Sequence, residues 1–517
     1  MRTRAGWPTG MLSHLFAKRK IERQNGQRIS PPFDVAAAPW KILLHTAPTP
    51  GQNAATWPTD YSPSPPMITA TFPAHALGSG LLVGVALLRL SRGIATTSLP
   101  FPTPATKARR LPRLLLHFDV NKTIIISDPA GGVTTQQMVN SIISENAWGR
   151  VTGGGSSDDD GAHERWELAA ECTEPTPSPP DTCSDGVAGC GNGGALGGKG
   201  TGALGGEASP LVSYADLLEG GRVAKRVKKE LKTTFTEEGR PGHAFRPFYH
   251  RLLRALAVPA ESAAATAACP FELLRGGQVF LLPSFFELVK HLSAEKRDFA
   301  IVFRTFGSDL PEIAAEFNLF CAGEHPLHPG VRLDGSLDGS PDRRIQLPGG
   351  TGCYVRDGRT PKDVHLTTVG ARGVISVAHG AAACHAAICE RVAAGHNTLG
   401  LQDHYAWWAK CGEADDAGKI MFVDQSDDPL NGDGYDGHTH QIFFDDNVER
   451  THAHIVDIRD AASGETVRFE KARGLYLVRA EPVRSILDRE YFIDAVRACE
   501  ARRDAGGAGR DTVEGRA

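Results

Sequence analysis

The chain lacks the features that mark several common protein classes. Its longest strongly apolar stretch, Ala76 to Leu88, has 13 residues, well short of the ~20 that a spanning helix needs. An ordinary helical membrane protein is not expected. There is no G-x-S-x-G and no H-E-x-x-H, so serine-hydrolase and zincin readings have no support. The ten cysteines include no C-x-x-C pair, and the closest informative spacing, Cys384 with Cys389, lies in an Ala-rich helical run. Scattered thiols of this kind read as reduced and buried, which fits an intracellular protein. The 57 glycines have no three-residue period, which excludes collagen.

Acidic residues are scarce in one region only. Residues 1–118 hold fourteen Lys/Arg but only Glu22, Asp34 and Asp60, a balance of +11 within a net charge of −4, so the remainder carries −15. An acidic body argues against nucleic-acid partners, which need a basic surface. Residues 1–110 show no sustained period and carry proline clusters with Ser, Thr and Ala runs. This reads as a disordered extension or as an organellar transit peptide, leaving the compartment cytoplasmic or organellar. A second unpacked stretch is expected over 152–209, where fifteen of 58 residues are glycine; it buries too little apolar surface to offset its ordering entropy. Its G-x-G-x-x-G at Gly189, Gly191 and Gly194, and its near P-loop ending Lys199-Gly200, follow no strand and open no helix, so both are accidents of composition. Residues 506–517 read as a disordered tail.

Between these stretches, strand and helix signals alternate. Leu114–Phe118 and Phe299–Phe303 are short apolar runs suited to buried parallel strands. Further strands are expected at Leu399–Asp403, Lys419–Val423, Gln441–Phe444 and Ala453–Ile458. Helices are expected over Thr134–Trp148, Phe285–Leu292 and Val483–Arg503, and from Asp309 to Phe317. Ser284 with Glu287, and Asp309 with Glu312, have capping-box spacing. The pattern predicts an α/β fold, a Rossmann-like parallel sheet with helices on both faces, over about 111–505.

In such sheets, ligands bind beyond the carboxyl ends of the strands. Asp119, Asn121, Lys122 and Thr123 follow the first strand, Thr305 follows the second, and Asp445 with Asp446 follow the Gln441 strand; Lys419 precedes that pair by 26 residues. An aspartate at a strand end can attack phosphorus. A hydroxyl and an ammonium can hold phosphoryl oxygens as charge develops. Clustered carboxylates repel unless a cation lies between them, and an all-oxygen ligand set favours Mg²⁺.

The order FDVNKT, FRT, GK, FFDD resembles the four motifs of the haloacid dehalogenase superfamily. The resemblance spans residues 114–446, although the motif segments themselves are a small part of the chain. It implies that Asp119 is the nucleophile and a Mg²⁺ ligand, with the Asn121 main-chain carbonyl as a second ligand. Thr305 becomes the phosphate-binding hydroxyl, Lys419 the charge-stabilising lysine, and Asp445 and Asp446 the metal-binding acids. The implied activity is Mg²⁺-dependent phosphatase-type hydrolysis of a phosphorylated small molecule or phosphoprotein. The departure from the pattern is Asn121, which stands where the superfamily's phosphatases carry an aspartate as general acid. An amide cannot give up a proton, and general acid catalysis is worth about 10²–10⁴-fold. The alternative is therefore a catalytically inactive binding or scaffold protein on the same fold; carbon–halogen or carbon–phosphorus cleavage is a third option. The gaps of 186 residues from Asp119 to Thr305 and 114 from Thr305 to Lys419 imply caps or loop insertions.

Three further signals read as structural. Arg222–Lys232 is an amphipathic basic helix, Trp407 and Trp408 cover the core, and the Asp-rich loop 424–436 is solvated. His438, His440, His452 and His454 have spacing compatible with a zinc site, although surface histidines match it equally.

Overall fold

A computed structural model describes residues 111–128, 131–152, 165–180, 210–221, 223–337, 339–347, 349–369, 375–425 and 439–508. The expected extension 1–110, most of the 152–209 insertion, Arg222, His438 and the greater part of the Asp-rich loop lie outside them. Among the described residues, no helix is long and apolar enough to cross a membrane.

The strands are β1 (Arg113–Asp119), β2 (Trp148–Thr152), β3 (Arg165–Leu168), β4 (Val212–Ser213), β5 (Phe299–Thr305), β6 (Thr351–Arg356), β7 (Val364–Val369), β8 (Ile375–His379), β9 (Thr398–Gln402), β10 (Lys419–Val423), β11 (Thr439–Asp445), β12 (Val456–Asp460) and β13 (Leu477–Arg479). Eight of them form one sheet in the order β13-β11-β1-β5-β9-β6-β7-β8. The pairings from β13 through β6 are all parallel, and an antiparallel β7–β8 hairpin extends the edge. This is a largely parallel α/β architecture flanked by helices, consistent with a generic Rossmann-like core.

The two faces follow from the alternation of side chains along a strand. Leu114, Leu116 and Phe118 of β1, with Phe299, Ile301 and Phe303 of β5, enter a core built on Phe285, Phe317, Phe320 and Phe492. Leu115, Ala300 and Val302 point the other way, toward Leu399, Ile420 and Phe422. Both faces are covered, so the strands read as short apolar runs. The strand predicted at Lys419 does not join this sheet. β10 pairs in parallel with β12 and lies on the second face, starting from Lys419 opposite Val456.

Residues between β1 and β5 build most of a separate core from α1 (Thr135–Asn146), α2 (Tyr214–Gly220), α3 (Lys225–Thr233) and α4 (Arg246–Ala255) with the antiparallel β3-β2-β4 sheet, completed by Val483 and Ile486. Part of the expected unpacked insertion folds here. Trp166 is buried on β3 between Tyr214 and Phe235, and its indole N–H donates to the Val212 carbonyl at 3.0 Å. Gly149 opposite leaves room for the indole, since a Cβ there would lie 2.4 Å from it. Burial of one large aromatic side chain offsets the ordering of a short strand, a contribution that glycine content does not reveal.

Neither expected capping box on the later helices forms. Helix α5 (Pro283–Ala294) starts two residues early with Pro283 in its first turn, and the Ser284 hydroxyl donates to the Ser485 carbonyl at 2.7 Å. At α6 (Leu310–Ala322), Asp309 makes no cap bond and its carboxylate accepts from the Thr305 hydroxyl at 3.3 Å. A distant partner has taken the Ser284 side chain, and the nearby Thr305 hydroxyl has taken that of Asp309. The box at Thr134 and Gln137 is present and opens α1. The expected C-terminal helix is two helices, Pro482–Leu487 and Tyr491–Ala508, so the second runs three residues past the expected boundary at 505.

Candidate functional site

Asp119 is the last residue of β1 and shares a face with Leu115 and His117, the face on which β10 lies. Asp445 ends β11, whose register sets Phe118 beside Phe444. The two carboxylates therefore emerge side by side at one sheet edge, and Lys419 reaches them from β10. Its ammonium donates to Asp119 Oδ1 and, at 2.7 Å, to Asp445 Oδ2. All three residues are buried. Burial opposes the charge on Lys419, but Asp119 and Asp445 outweigh it and hold the ammonium above its ordinary pKa.

The β1–α1 loop supplies the rest. Lys122 adopts a left-handed backbone (φ 61°), and its N–H donates to the Ile125 carbonyl at 2.8 Å, folding the loop back on itself. Thr123 is turned inward by this. Its hydroxyl donates to Asp119 Oδ2 at 3.3 Å and accepts the Asp446 backbone N–H at 3.2 Å, joining the loops after β1 and β11. Lys122 pairs with Glu145 at 2.7 Å and stands 3.8 Å from Asp446 Oδ2. Sequence reasoning missed Glu145; a glutamate near a helix end carries no signal of its own.

The electrostatics are those of crowded carboxylates. Burial, with repulsion from Asp445 and against the pull of Lys419, raises the Asp119 carboxyl to about 7. Burial also lifts Asp446 well above the carboxylate range, opposed by Lys122 and reinforced by Asp119 and Asp445. Asp119, Asp445 and Asp446 each offer an oxygen within 4.8 Å of the others. Asp446 Oδ1 is buried with no hydrogen-bond partner. A buried acceptor left unpaired is costly, and an all-oxygen trio suits a hard divalent cation. The residues fit such an ion.

The remaining predicted residues share the edge without joining the cluster through any direct contact. Thr305 ends β5, one residue past the Asp119–Arg304 pairing; its hydroxyl accepts the Gly307 N–H at 2.8 Å and donates to Asp309. Burial and then repulsion from Asp128 push the Asp309 carboxyl up. Asn121 is half-buried, and its side-chain amide donates to the Ser127 carbonyl at 2.9 Å, so it braces the loop. Among the described histidines of the expected set, His440 does not join His452 and His454. His440 is buried in β11, donating to the Leu475 carbonyl and accepting from Arg503, whereas His452 lies at the surface.

Beneath the edge, a buried polar network fixes β10. Arg304 makes a two-pronged pair with Asp403 (2.6 and 3.0 Å), donates to the Ile420 carbonyl at 2.8 Å, and meets His117 Nδ1 at 3.3 Å. Gln441 accepts from His117 Nε2 at 3.2 Å and donates to the Phe422 carbonyl at 2.9 Å. Burial first, then Arg304, keeps His117 well below its ordinary pKa, as a neutral ring that donates and accepts.

No family model, curated protein or solved structure matches the chain.

Proposed function

We propose that the protein is a phosphatase-type hydrolase of the haloacid dehalogenase kind, working through an aspartyl-phosphate on Asp119. The observation that carries this reading is the convergence of Asp119, Lys419, Asp445 and Asp446, three carboxylates and one ammonium, at the carboxyl edge of a parallel sheet. A Mg²⁺ held by Asp119, Asp445 and Asp446, with the Asn121 main-chain carbonyl as a further donor, would neutralise charge on the phosphoryl oxygens.

Lys419 occupies Asp119 Oδ1, whereas Oδ2 has only the long bond from Thr123. Oδ2 is therefore the attacking oxygen. It forms a bond to phosphorus while the bond from phosphorus to the leaving oxygen breaks, and that oxygen departs with the electron pair. Water then attacks the phosphorus of the acyl phosphate, gives its proton to solvent, releases inorganic phosphate and restores the Asp119 carboxylate. Lys419 balances the charge of the carboxylates, and Thr305 offers a hydroxyl to the phosphoryl group. With asparagine at position 121, the leaving oxygen receives no proton from that side chain, so the reading favours aryl or acyl phosphates over alkyl ones.

A second reading rests on the Asn121 to Ser127 bond. A braced amide in that position suits a protein that binds a phosphorylated ligand without turning it over. Phosphate release from an aryl phosphate, with Mg²⁺ and with chelator, separates the two. Mg²⁺-dependent release supports the hydrolase; none from folded protein, nor from the Asn121→Asp variant, leaves the binding protein.

A further inference from the structure

A second cluster of ligating side chains lies apart from the carboxylate trio, where the chain enters β10 and β12. Asp415, His452 and His454 each offer a ligand atom within 4.8 Å of the others, with His452 Nδ1 3.0 Å from Asp415 Oδ2. We propose that these three residues bind a divalent transition-metal ion of the Zn²⁺ class.

The chemistry of the donors is the first argument. Two imidazoles and one carboxylate suit a borderline-soft ion and discriminate against Mg²⁺, which prefers oxygen alone. Three protein ligands leave the ion at least one open position for water. Bond lengths to zinc are about 2.0–2.2 Å, so an ion would draw the side chains slightly together. Asp415 and His452 are exposed and His454 half-buried, which leaves them free to move that far.

The backbone beneath is fixed, which is the second argument. Asp415 begins a short 3₁₀ turn (Asp415–Ala417). Arg356 holds that turn by donating to the Asp416 carbonyl at 2.7 Å and the Gly418 carbonyl at 3.0 Å, and Arg359 pairs with the Asp416 side chain at 2.8 Å. The neighbouring acid is thus engaged while Asp415 faces the histidines. Across from it, His454 holds a left-handed backbone (φ 49°), a conformation few non-glycine residues adopt, though histidine tolerates it better than most. Its ring lies edge-on to Trp408 at 5.7 Å and edge-on to His452 at 5.7 Å. The first rung between the two strands, Lys419 N–H to the Ile455 carbonyl at 2.7 Å, follows at once. An ion here would clip the two strand entrances together, and this inference is independent of phosphoryl transfer.

The test is Zn²⁺ titration of the full chain in excess Mg²⁺, comparing wild type with His452→Asn/His454→Asn. Asparagine tolerates the left-handed position, and unchanged melting without Zn²⁺ checks the fold. The expected result is loss of one tight equivalent, with at least tenfold weaker residual binding, and a Zn²⁺-induced rise in melting temperature that the variant lacks. Asp415→Asn, which keeps the side-chain shape, should weaken the same equivalent. Control His365→Asn, at another surface histidine pair, should leave it unchanged. Equal stoichiometry and affinity in wild type, the double variant and Asp415→Asn would overturn the assignment.

Discussion

At the scale of single residues, Lys419 has the largest structural consequence in the candidate site. It is the cation that both Asp119 and Asp445 face within bonding distance. Breaking a buried pair by removing one partner costs about 3–5 kcal/mol, because the other charge is left uncompensated. Lys419→Met should therefore destabilise the fold by about 3 kcal/mol in urea titration, at the low end because the stranded carboxyls can take up protons. Asp119→Asn behaves differently. Lys419 keeps Asp445 and one carboxylate repulsion disappears, so the change should stay within about 1 kcal/mol. Gly418 supplies a second residue-scale test, since a Cβ there would lie 2.0 Å from the Ile455 carbonyl oxygen. Gly418→Ala must separate β10 from β12, and overpacking of this kind costs about 1–3 kcal/mol; differential scanning calorimetry should show a clear fall in melting temperature.

At the scale of elements, the site depends on how β10 is held. It shares no ladder with the eight-stranded sheet, yet it presents Lys419 to two of that sheet's strand ends. Arg304 and Gln441 make the connection through the Ile420 and Phe422 carbonyls. Gln441→Leu leaves the Phe422 carbonyl and the His117 N–H unpaired, a loss of about 1–3 kcal/mol. Amide hydrogen exchange across residues 419–423 should be faster in that variant, with the β1–β5 amides little changed. Unaltered exchange in β10 would mean that packing alone holds it. This network was invisible in the sequence: nothing in FRT or in THQIFFD reveals that Arg304 and Gln441 point to the same face. The strands themselves were legible, since β1, β5 and β11 are buried on both sides and carry short apolar runs. Neither expected capping box could be settled from spacing alone, because Ser284 turned to the distant Ser485 and Asp309 to Thr305 four residues before it. The box that does form, at Thr134, was not among those expected. Asp119 and Asp445 could be placed together because the carboxyl ends of adjacent parallel strands lie side by side. Lys419, by contrast, starts a strand outside that sheet, and Thr305 and Asn121 stand apart from the cluster. Glu145 and Asp415 could not be read, because loop geometry brings them to their partners, although the spacing of His452 and His454 did mark those two as candidate ligands.

At the scale of the whole molecule, buried neutral histidines link stability to pH. Burial, aided by Arg503, lowers His440 to about 4 from an ordinary value near 6.5. The unfolded chain thus takes up its proton first as acid is added. The His440 contribution is complete above pH 6.5 and is lost progressively as pH falls toward 4. One unit of displacement is worth about 1.4 kcal/mol. The stability gap between wild type and His440→Gln should therefore shrink by about 2 kcal/mol between pH 7 and pH 5; a gap independent of pH would show that His440 is not buried in its neutral form. The fold also carries two hydrophobic cores beside the sheet's first face, one under the strands and one built mainly between β1 and β5 and completed by Val483 and Ile486.

The most direct test of the central claim is to look for phosphate on Asp119 itself. Wild-type protein mixed with an aryl phosphate and Mg²⁺, quenched in acid and digested, should yield a hydroxylamine-labile phosphate on the peptide containing Asp119. Asp119→Asn should yield none and release no phosphate. Turnover that persists in Asp119→Asn, or an Asp119 peptide that stays unmodified in a wild-type protein folded and saturated with substrate, would contradict the aspartyl-phosphate account.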